Sequence, residues 1–159
     1  MALDIFQYLN QLELERYRAF ILHAALEKSK AVNQFAKKIH ERVGGQYLDL
    51  LDLFLQTKEY SEKIDQFGLQ ELRSLLIEKS KGQALIIIDR VDFLLDTWLP
   101  QDRQSFFWLI NNQWDGFKDD MKASLMICLQ TSQDLENQLI TDSQSQSRVL
   151  KLSDFNDIV

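Results

Sequence analysis

The chain has 159 residues, of which 45% are hydrophobic and 11% aromatic, a composition that builds a packed core and excludes a disordered protein. Its 24 acidic residues outnumber 18 basic ones, and the net charge of -6 excludes a surface that attracts nucleic acid as a whole. The opening "MALDIFQYLNQLELERYR" has carboxylates where a signal peptide needs basic residues, and no stretch reaches the roughly 18 apolar residues of a membrane span, so we expect a cytoplasmic protein with no membrane association.

The first elements are predicted from apolar spacing. Leu3, Phe6 and Leu9 recur every three residues, which predicts a short amphipathic helix within residues 3–14. The compact apolar run "RYRAFILHAAL" then predicts a buried strand. Residues 29–43 repeat apolar positions on one face, which predicts a helix that stops at the following glycine pair.

The middle of the chain continues this alternation. "QYLDLLDLF" predicts a second strand, and the leucines of "LQELRSLLIEKSKG" predict a helix ended by Gly82. "ALIIIDRVD" has five apolar residues in a row and then a carboxylate. Such a run is typical of a central strand in a parallel sheet that is covered on both faces.

The last third supplies two more strands. After Pro100, "QDRQSFFWLINNQW" predicts a helix, "SLMICLQTS" a strand with the single cysteine Cys128 in the core, "QDLENQLI" a short helix and "SRVLKL" a closing strand. The repeated strand–helix order predicts an α/β fold, a three-layer sandwich with a mostly parallel sheet. We expect one domain over residues 1–159, with an N-terminal helix in 1–15 and an α/β core in 16–159.

Ligands of open parallel sheets bind at the carboxyl ends of the strands, so the residues at those ends matter most. Three strands end in "LHAALEKS", "IIIDRVD" and "CLQTS". In this order they resemble the Walker A, Walker B and sensor-1 positions of P-loop NTPases of the additional-strand class, which includes the AAA+ proteins. The resemblance spans residues 17–152 and implies a site for ATP and Mg²⁺ made of Lys28, Ser29, Asp89, Asp92 and Thr131.

The Walker A position departs from the family pattern GxxxxGK[ST]. Aligned on Lys28 and Ser29, the pattern places glycines at Leu22 and Glu27, and no glycine precedes Gly44. Glycines let the loop wrap backbone N–H groups around phosphate oxygens, which leucine and glutamate do not permit. Glu27 would also repel the phosphates by about 4 kcal/mol per charge pair near 4 Å. A solvated helix start is the alternative interpretation of "EKSK".

The other two positions keep more of the pattern. Asp89 occupies the place of the residue that holds the Mg²⁺-bound water, but Arg90 follows where active members carry a glutamate, and arginine cannot act as a base. Asp92 could replace that glutamate or cap the next helix. Thr131 could orient a phosphate, or Ser132 could simply cap the helix after it.

These departures predict a degenerate, non-hydrolysing P-loop-like domain that serves as an interaction subunit of a larger complex. A weak ATP-binding or ATP-hydrolysing enzyme with a reduced site is the alternative. The length, "GGQYLDL" after the first helix and the Walker B-like strand are also similar to the small P-loop protein of BREX-type phage-defence systems. That resemblance implies a phage-defence or DNA-processing assembly.

Two surfaces are candidates for partners. Residues 28–42 gather five basic side chains and one acid, Glu41, which would suit a nucleic-acid backbone or an acidic partner, or simply form a solvated helix face. The helix after Pro100 has more aromatic residues than one face can bury. We expect Phe107 to face the sheet and Phe106 and Trp108 to be available to a protein partner.

Overall fold

The computed structural model describes residues 2–112, 114 and 123–159. These residues form one sheet of five parallel strands in the order β2-β3-β4-β1-β5, where β1 is Ala19–Ala24, β2 Gln46–Asp49, β3 Leu85–Asp89, β4 Ser124–Gln130 and β5 Val149–Lys151. The predicted α/β class with a parallel sheet is confirmed.

Helices connect the strands and cover both faces of the sheet. Within the described residues they are α1 (Ile5–Leu12), α2 (Ser29–Val43), α3 (Leu50–Gln56), α4 (Lys58–Glu62), α5 (Leu69–Ser80), α6 (Asp92–Leu95), α7 (Pro100–Asn112) and α8 (Gln133–Glu136). One core cluster packs α1 and α2 on one face, and a larger one packs α3, α5 and α7 on the other. The result is the predicted three-layer sandwich.

The central strands alternate between these two clusters. On β3, Ile86 and Ile88 face the α5 and α7 side, and Ile87 faces α2. All three are completely buried, which explains why the sequence reads as an unbroken apolar run. Cys128 on β4 is a free, buried thiol, as predicted for a core residue.

The prediction that "QYLDLLDLF" forms a strand is wrong beyond its fourth residue. The strand stops at Asp49, and "LLDLFLQ" is the helix α3. The Asp49 carboxylate accepts the backbone N–H of Asp52 at 3.1 Å, which caps the helix. Leu50 and Phe54, four residues apart, are both buried, so the apolar pattern fits a helical face.

Two helices are shorter than predicted. The helix predicted over "QDLENQLI" is only α8, and Ser132 caps it by accepting the N–H of Leu135 at 3.2 Å. The helix predicted after Pro100 ends at Asn112; Gln113 of that prediction lies outside the described residues, and Trp114 is buried beyond the helix.

The predicted glycine stop after α2 is present and has a tight packing role. Gly44 and Gly45 both have positive φ, and a Cβ on Gly45 would lie 2.4 Å from the carbonyl oxygen of Leu85. The pair turns the chain directly into β2 beside β3. Among the described residues, no helix is long and apolar enough to cross a membrane.

Candidate functional site

The residues predicted to form a site lie at one edge of the sheet. Lys28 ends the turn between β1 and α2, Ser29 begins α2, Asp89 ends β3, Asp92 begins α6, and Thr131 follows β4. The strands are parallel and Ala24 on β1 pairs with Gln130 on β4, so their carboxyl ends meet at this edge. The chain also changes direction here, because α2 covers one face while the connections after β3 and β4 cover the other.

The connection between β1 and α2 is a closed turn. Leu26–Lys28 form a single 3-10 turn, in which the Lys28 N–H donates to the Ala25 carbonyl at 2.8 Å and the Ser29 N–H to that of Leu26. The Ser29 hydroxyl also donates to the Leu26 carbonyl, at 2.7 Å. Two backbone donors and the hydroxyl that a phosphate loop would direct toward its ligand are therefore used within the turn.

The loop is also shorter than the family pattern requires. Leu22, aligned with the first glycine, is a fully buried residue of β1 that pairs with Cys128 and Leu150. Glu27, aligned with the second, lies inside the 3-10 turn. Both positions that the pattern assigns to glycine therefore lie in regular hydrogen-bonded structure.

Asp89 is buried, and its carboxylate accepts hydrogen bonds from three protein groups. Tyr47 donates its hydroxyl to Oδ2 at 2.8 Å, and Asn33 donates its side-chain amide to the same oxygen at 3.2 Å. The backbone N–H of Arg90 donates to Oδ1 at 2.9 Å. Asn33 also donates to the Tyr47 hydroxyl at 2.8 Å, so the three side chains form one network.

Tyr47 is a permanent donor in this network. Burial raises the pKa of Tyr47 well above its ordinary value, and the negative charge of Asp89 and the hydrogen bond to it raise that pKa further. The phenol therefore stays protonated and keeps its O–H directed at Asp89. The three bonds occupy three of the roughly four acceptor sites of the Asp89 carboxylate, so most of its capacity to accept from a Mg²⁺-bound water is already used.

Arg90 does not neutralise Asp89 through its side chain. Its guanidinium forms a two-pronged ion pair with Asp49, with Nε 3.0 and 2.9 Å from the two carboxylate oxygens and Nη2 in contact with Oδ2. This hydrogen bonding raises the pKa of Arg90. Arg90 has a φ of 55°, a left-handed conformation that costs a non-glycine residue about 1–2 kcal/mol. The bonds to Asp49 and Asp89 hold it there.

Asp92 is partly buried and connects α6 to β4. Its Oδ1 accepts the backbone N–H of Gln130 at 2.9 Å, which ties the start of α6 to the end of β4. Val91 is the N-cap residue of α6, so the predicted capping role of Asp92 is not the one observed. Burial raises the pKa of Asp92, and the hydrogen bond from the Gln130 N–H lowers it in part.

Thr131 is paired with a buried histidine. Its Oγ1 lies 2.8 Å from Nδ1 of His23 on β1, and its N–H donates to the Ala24 carbonyl at 2.9 Å. Burial, together with the positive charge of Lys151, lowers the pKa of His23. A neutral imidazole can either donate to or accept from the threonine hydroxyl.

A cavity of about 160 Å³ lies among these groups. It opens between the ends of β1, β3 and β4, and Val32, Leu51, Phe93 and Leu129 supply most of its apolar wall. Ligand pockets are usually about 300–1,000 Å³. With the turn closed and most of the acceptor sites of Asp89 used, the residues present do not fit a nucleoside triphosphate with Mg²⁺ in the manner that the family pattern implies.

Two surfaces were predicted to bind partners, namely the aromatic residues of α7 and the basic side chains of residues 28–42. Phe106 is fully buried against Trp98, with ring centroids 6.1 Å apart, so the prediction that it faces a partner is wrong. Trp108 is 55% exposed on α7, as that prediction requires. The basic side chains of residues 28–42 are exposed; Lys38 bonds to the Ile158 carbonyl, and Arg42 lies over the ring of Phe6.

Sequence reasoning missed Asn33, Tyr47 and Asp49. Asn33 lies on α2 one turn after Ser29, and Tyr47 and Asp49 lie on β2, whose residue Asp49 pairs with Asp89 in the sheet. The available signal was the polar Asn33 among the apolar positions of α2. In the described part of the chain, no group of three or more side chains is placed to hold a metal ion. No family model matches the chain, and no curated protein is significantly similar to it.

Proposed function

We propose that this chain is a degenerate P-loop-like domain that does not hydrolyse nucleotide and acts as an interaction subunit of a larger assembly. The observation that carries the proposal is the closed turn between β1 and α2. Its Lys28 and Ser29 N–H groups and the Ser29 hydroxyl donate to carbonyls within the turn instead of facing outward. Opening it would break three hydrogen bonds before a phosphate could bind.

The strand order supports the resemblance to the additional-strand class. β4 lies between β1, which leads into the closed turn, and β3, which ends in Asp89. This is the arrangement for which that class is named. This strand order supports an origin from a nucleotide-binding domain, while each group at the motif positions is bonded to neighbouring protein groups instead of to a ligand.

Trp108 supports the interaction role. Its exposed ring lies on an outer α7 face whose neighbours one turn away are the uncharged residues Gln104, Ser105 and Asn112. Leu139 is 89% exposed in the segment after α8, which reaches α7 through a 3.0 Å bond between Gln138 and Gln104. Exposed tryptophan surrounded by uncharged groups is typical of a protein interface.

Calorimetric titration of the protein with ATP and Mg²⁺ is expected to give no saturating heat. The reason is that the turn offers no free loop for the phosphates and Asp89 is already satisfied. Lys28→Ala should behave like the wild type, and so should Lys30→Ala, a neighbouring exposed lysine outside the motif. Binding tighter than about 100 μM that is lost only in Lys28→Ala would instead favour the weak ATP-binding enzyme.

Native mass spectrometry of the tagged chain, purified from its own cells, is expected to give a complex of fixed stoichiometry that is heavier than the chain alone. Trp108→Ala should weaken that complex by about 2 kcal/mol, roughly a thirtyfold loss, because buried tryptophan dominates many interfaces. Leu14→Ala, at an exposed leucine before β1, is the control. A chain that is always monomeric would contradict the interaction role.

A further inference from the structure

The cavity at the carboxyl edge of the sheet has the size of one side chain. Its volume of about 160 Å³ is far below that of a usual ligand pocket. It is close to the roughly 150 Å³ of a cavity that holds one benzene ring. A leucine or phenylalanine side chain would therefore fill it.

Apolar surface continues from the cavity to the outside. Leu26, in the turn between two residues that line the cavity, is 66% exposed. Leu55 is 72% exposed and lies one helical turn after the lining residue Leu51. Phe93, which lines the cavity, is half-buried, and the two exposed leucines lie close along the chain to other lining residues, so apolar surface that a docked chain could bury lies near the cavity.

The polar groups around this opening are mostly acidic. Segments 25–30, 49–52, 89–96 and 130–136 lie at the carboxyl ends of β1 to β4. Eight carboxylates oppose three basic groups: Glu27, Asp49, Asp52, Asp89, Asp92, Asp96, Asp134 and Glu136 against Lys28, Lys30 and Arg90. Most of the net charge of -6 is thus concentrated at this edge.

The basic groups at this edge cancel part of that charge, and once Arg103 is included with Lys28, Lys30 and Arg90, eight carboxylates stand against four basic groups. Arg90 is already paired with Asp49. Arg103 on α7 also reaches this edge, where it pairs with Asp134 at 3.5 Å. Lys28 and Lys30 lie on the α2 side, while seven of the eight carboxylates lie on the β2, β3 and β4 side. The field at the opening therefore attracts cations and repels phosphate.

We propose that this opening binds a basic segment of a protein partner, which inserts one leucine- to phenylalanine-sized side chain into the cavity and directs lysine or arginine side chains at the surrounding carboxylates. This rests on the proposed interaction role and names the chemistry of the partner. The apolar cavity accounts for the anchor, and the acidic surroundings account for the basic flanks.

Selection of a random twelve-residue peptide library on the immobilised protein tests this proposal. Selected peptides should be enriched in lysine and arginine around a single leucine, methionine or phenylalanine. A synthetic peptide of the selected sequence should bind less tightly as the salt concentration rises, because its charged contacts are exposed. Failure to select any peptide, or selection of acidic or uncharged ones, would overturn the proposal.

Two variants locate the binding. Gln130→Trp places a large side chain over the cavity while keeping the backbone bond to Asp92, and should weaken peptide binding by about tenfold or more. Glu27→Lys combined with Glu136→Lys should also weaken binding and should reduce its salt dependence. Circular dichroism establishes that each variant is folded.

Matched substitutions at the opposite edge are the controls. Gln11→Trp, on the exposed face of α1, and Glu13→Lys combined with Glu41→Lys, both exposed, should leave peptide affinity unchanged. Equal affinity of the Gln130→Trp variant and the wild type would overturn the assigned site. Self-association of the chain that competes with the peptide would overturn the assigned occupant in favour of a second copy.

The two proposals fail separately. If selected peptides bind at the cavity but the chain is always monomeric in its own cells, the interaction role fails while the binding chemistry stands. If a complex forms and is insensitive to Gln130→Trp and to the charge reversals, the interaction role stands and the cavity is not its interface.

Discussion

Arg148→Ala is expected to lower the free energy of unfolding by about 4 kcal/mol, the largest effect of any single polar substitution considered for this fold. Arg148 precedes β5 and is 2% exposed. Its guanidinium donates to the backbone carbonyls of Tyr17, Ala19, Thr141 and Asn111 and to the Asn111 side chain, at 2.7–3.3 Å. One side chain thus connects the start of β1, the end of α7 and the segment before β5.

The size of the effect follows from what the substitution leaves behind. Burial lowers the pKa of Arg148, and the nearby Tyr8, Glu15 and Asp142 raise it in part. The ordinary pKa of arginine is so high that the group stays charged. Alanine would leave buried carbonyls without donors, each at a cost of about 1–3 kcal/mol where water does not replace the arginine.

Guanidinium chloride unfolding, followed by circular dichroism, measures this prediction. Arg42→Ala is the matched control, because Arg42 is exposed and its guanidinium carbon lies over the Phe6 ring, 5.4 Å from its centroid. We expect that control to lose less than about 1 kcal/mol. A loss in Arg148→Ala no larger than in the control would show that water satisfies these carbonyls.

The arginine is also an example of what the sequence could not reveal. Nothing in "SRVLKL" distinguishes Arg148 from an exposed basic residue before a strand. Its hydrogen-bond partners lie 37 to 131 residues away along the chain, apart from Thr141. Periodicity locates a residue on a face of its own element, but says nothing about which distant carbonyls converge on it.

The central strands were predictable for the opposite reason. β3 and β4 are covered on both faces, so nearly all of their residues are buried and each strand is a continuous apolar run in the sequence. α3 was mistaken for strand because a short apolar run fits either element until its cap is recognised. Asp49 decides between them, since it ends β2 and caps α3 at once.

The sequence was enough to predict where the candidate site lies, but only part of what its side chains do there. Parallel strand order brings Lys28, Asp89 and Thr131 to one edge, and the missing glycines already indicated that phosphate would not be bound in the usual way. The closed turn and the network around Asp89 were not predictable. The network depends on Asn33 and Tyr47, which lie 56 and 42 residues from Asp89.

Asp89→Ala is expected to lower the free energy of unfolding by about 3 kcal/mol. The substitution removes the acceptor of the Tyr47 hydroxyl, the Asn33 amide and the Arg90 N–H together. Hydrogen bonds to a charged group contribute about 1.5–3 kcal/mol each, and relief of the buried carboxylate offsets part of their sum. Asp89→Asn keeps one acceptor oxygen and should lose about half as much.

Whether Asp89→Ala lowers or raises the free energy of unfolding distinguishes a carboxylate that stabilises the fold from one that is kept to bind a ligand. Carboxylates kept for a metal or phosphate site repel their neighbours when the ligand is absent, so their removal commonly stabilises the protein. Asp49 and Asp92 would supply that repulsion here, since Asp49 pairs with Asp89 in the sheet and the Asp92 pKa is raised in part by the charge of Asp89. The network of Asn33 and Tyr47 supplies the opposing stabilisation.

Urea unfolding of Asp89→Ala, Asp89→Asn and the exposed control Asp52→Ala therefore tests both the network and the proposed function. Destabilisation in the order alanine, asparagine, control would mean that Asp89 holds β3 to β2 and α2, a role that conflicts with coordinating a Mg²⁺-bound water. Tyr47→Phe should then lose about 1–2 kcal/mol in the wild type and far less in Asp89→Ala, because the two groups share one hydrogen bond. Stabilisation by Asp89→Ala would contradict the structural role of Asp89 and would favour the alternative function, a weak ATP-binding enzyme.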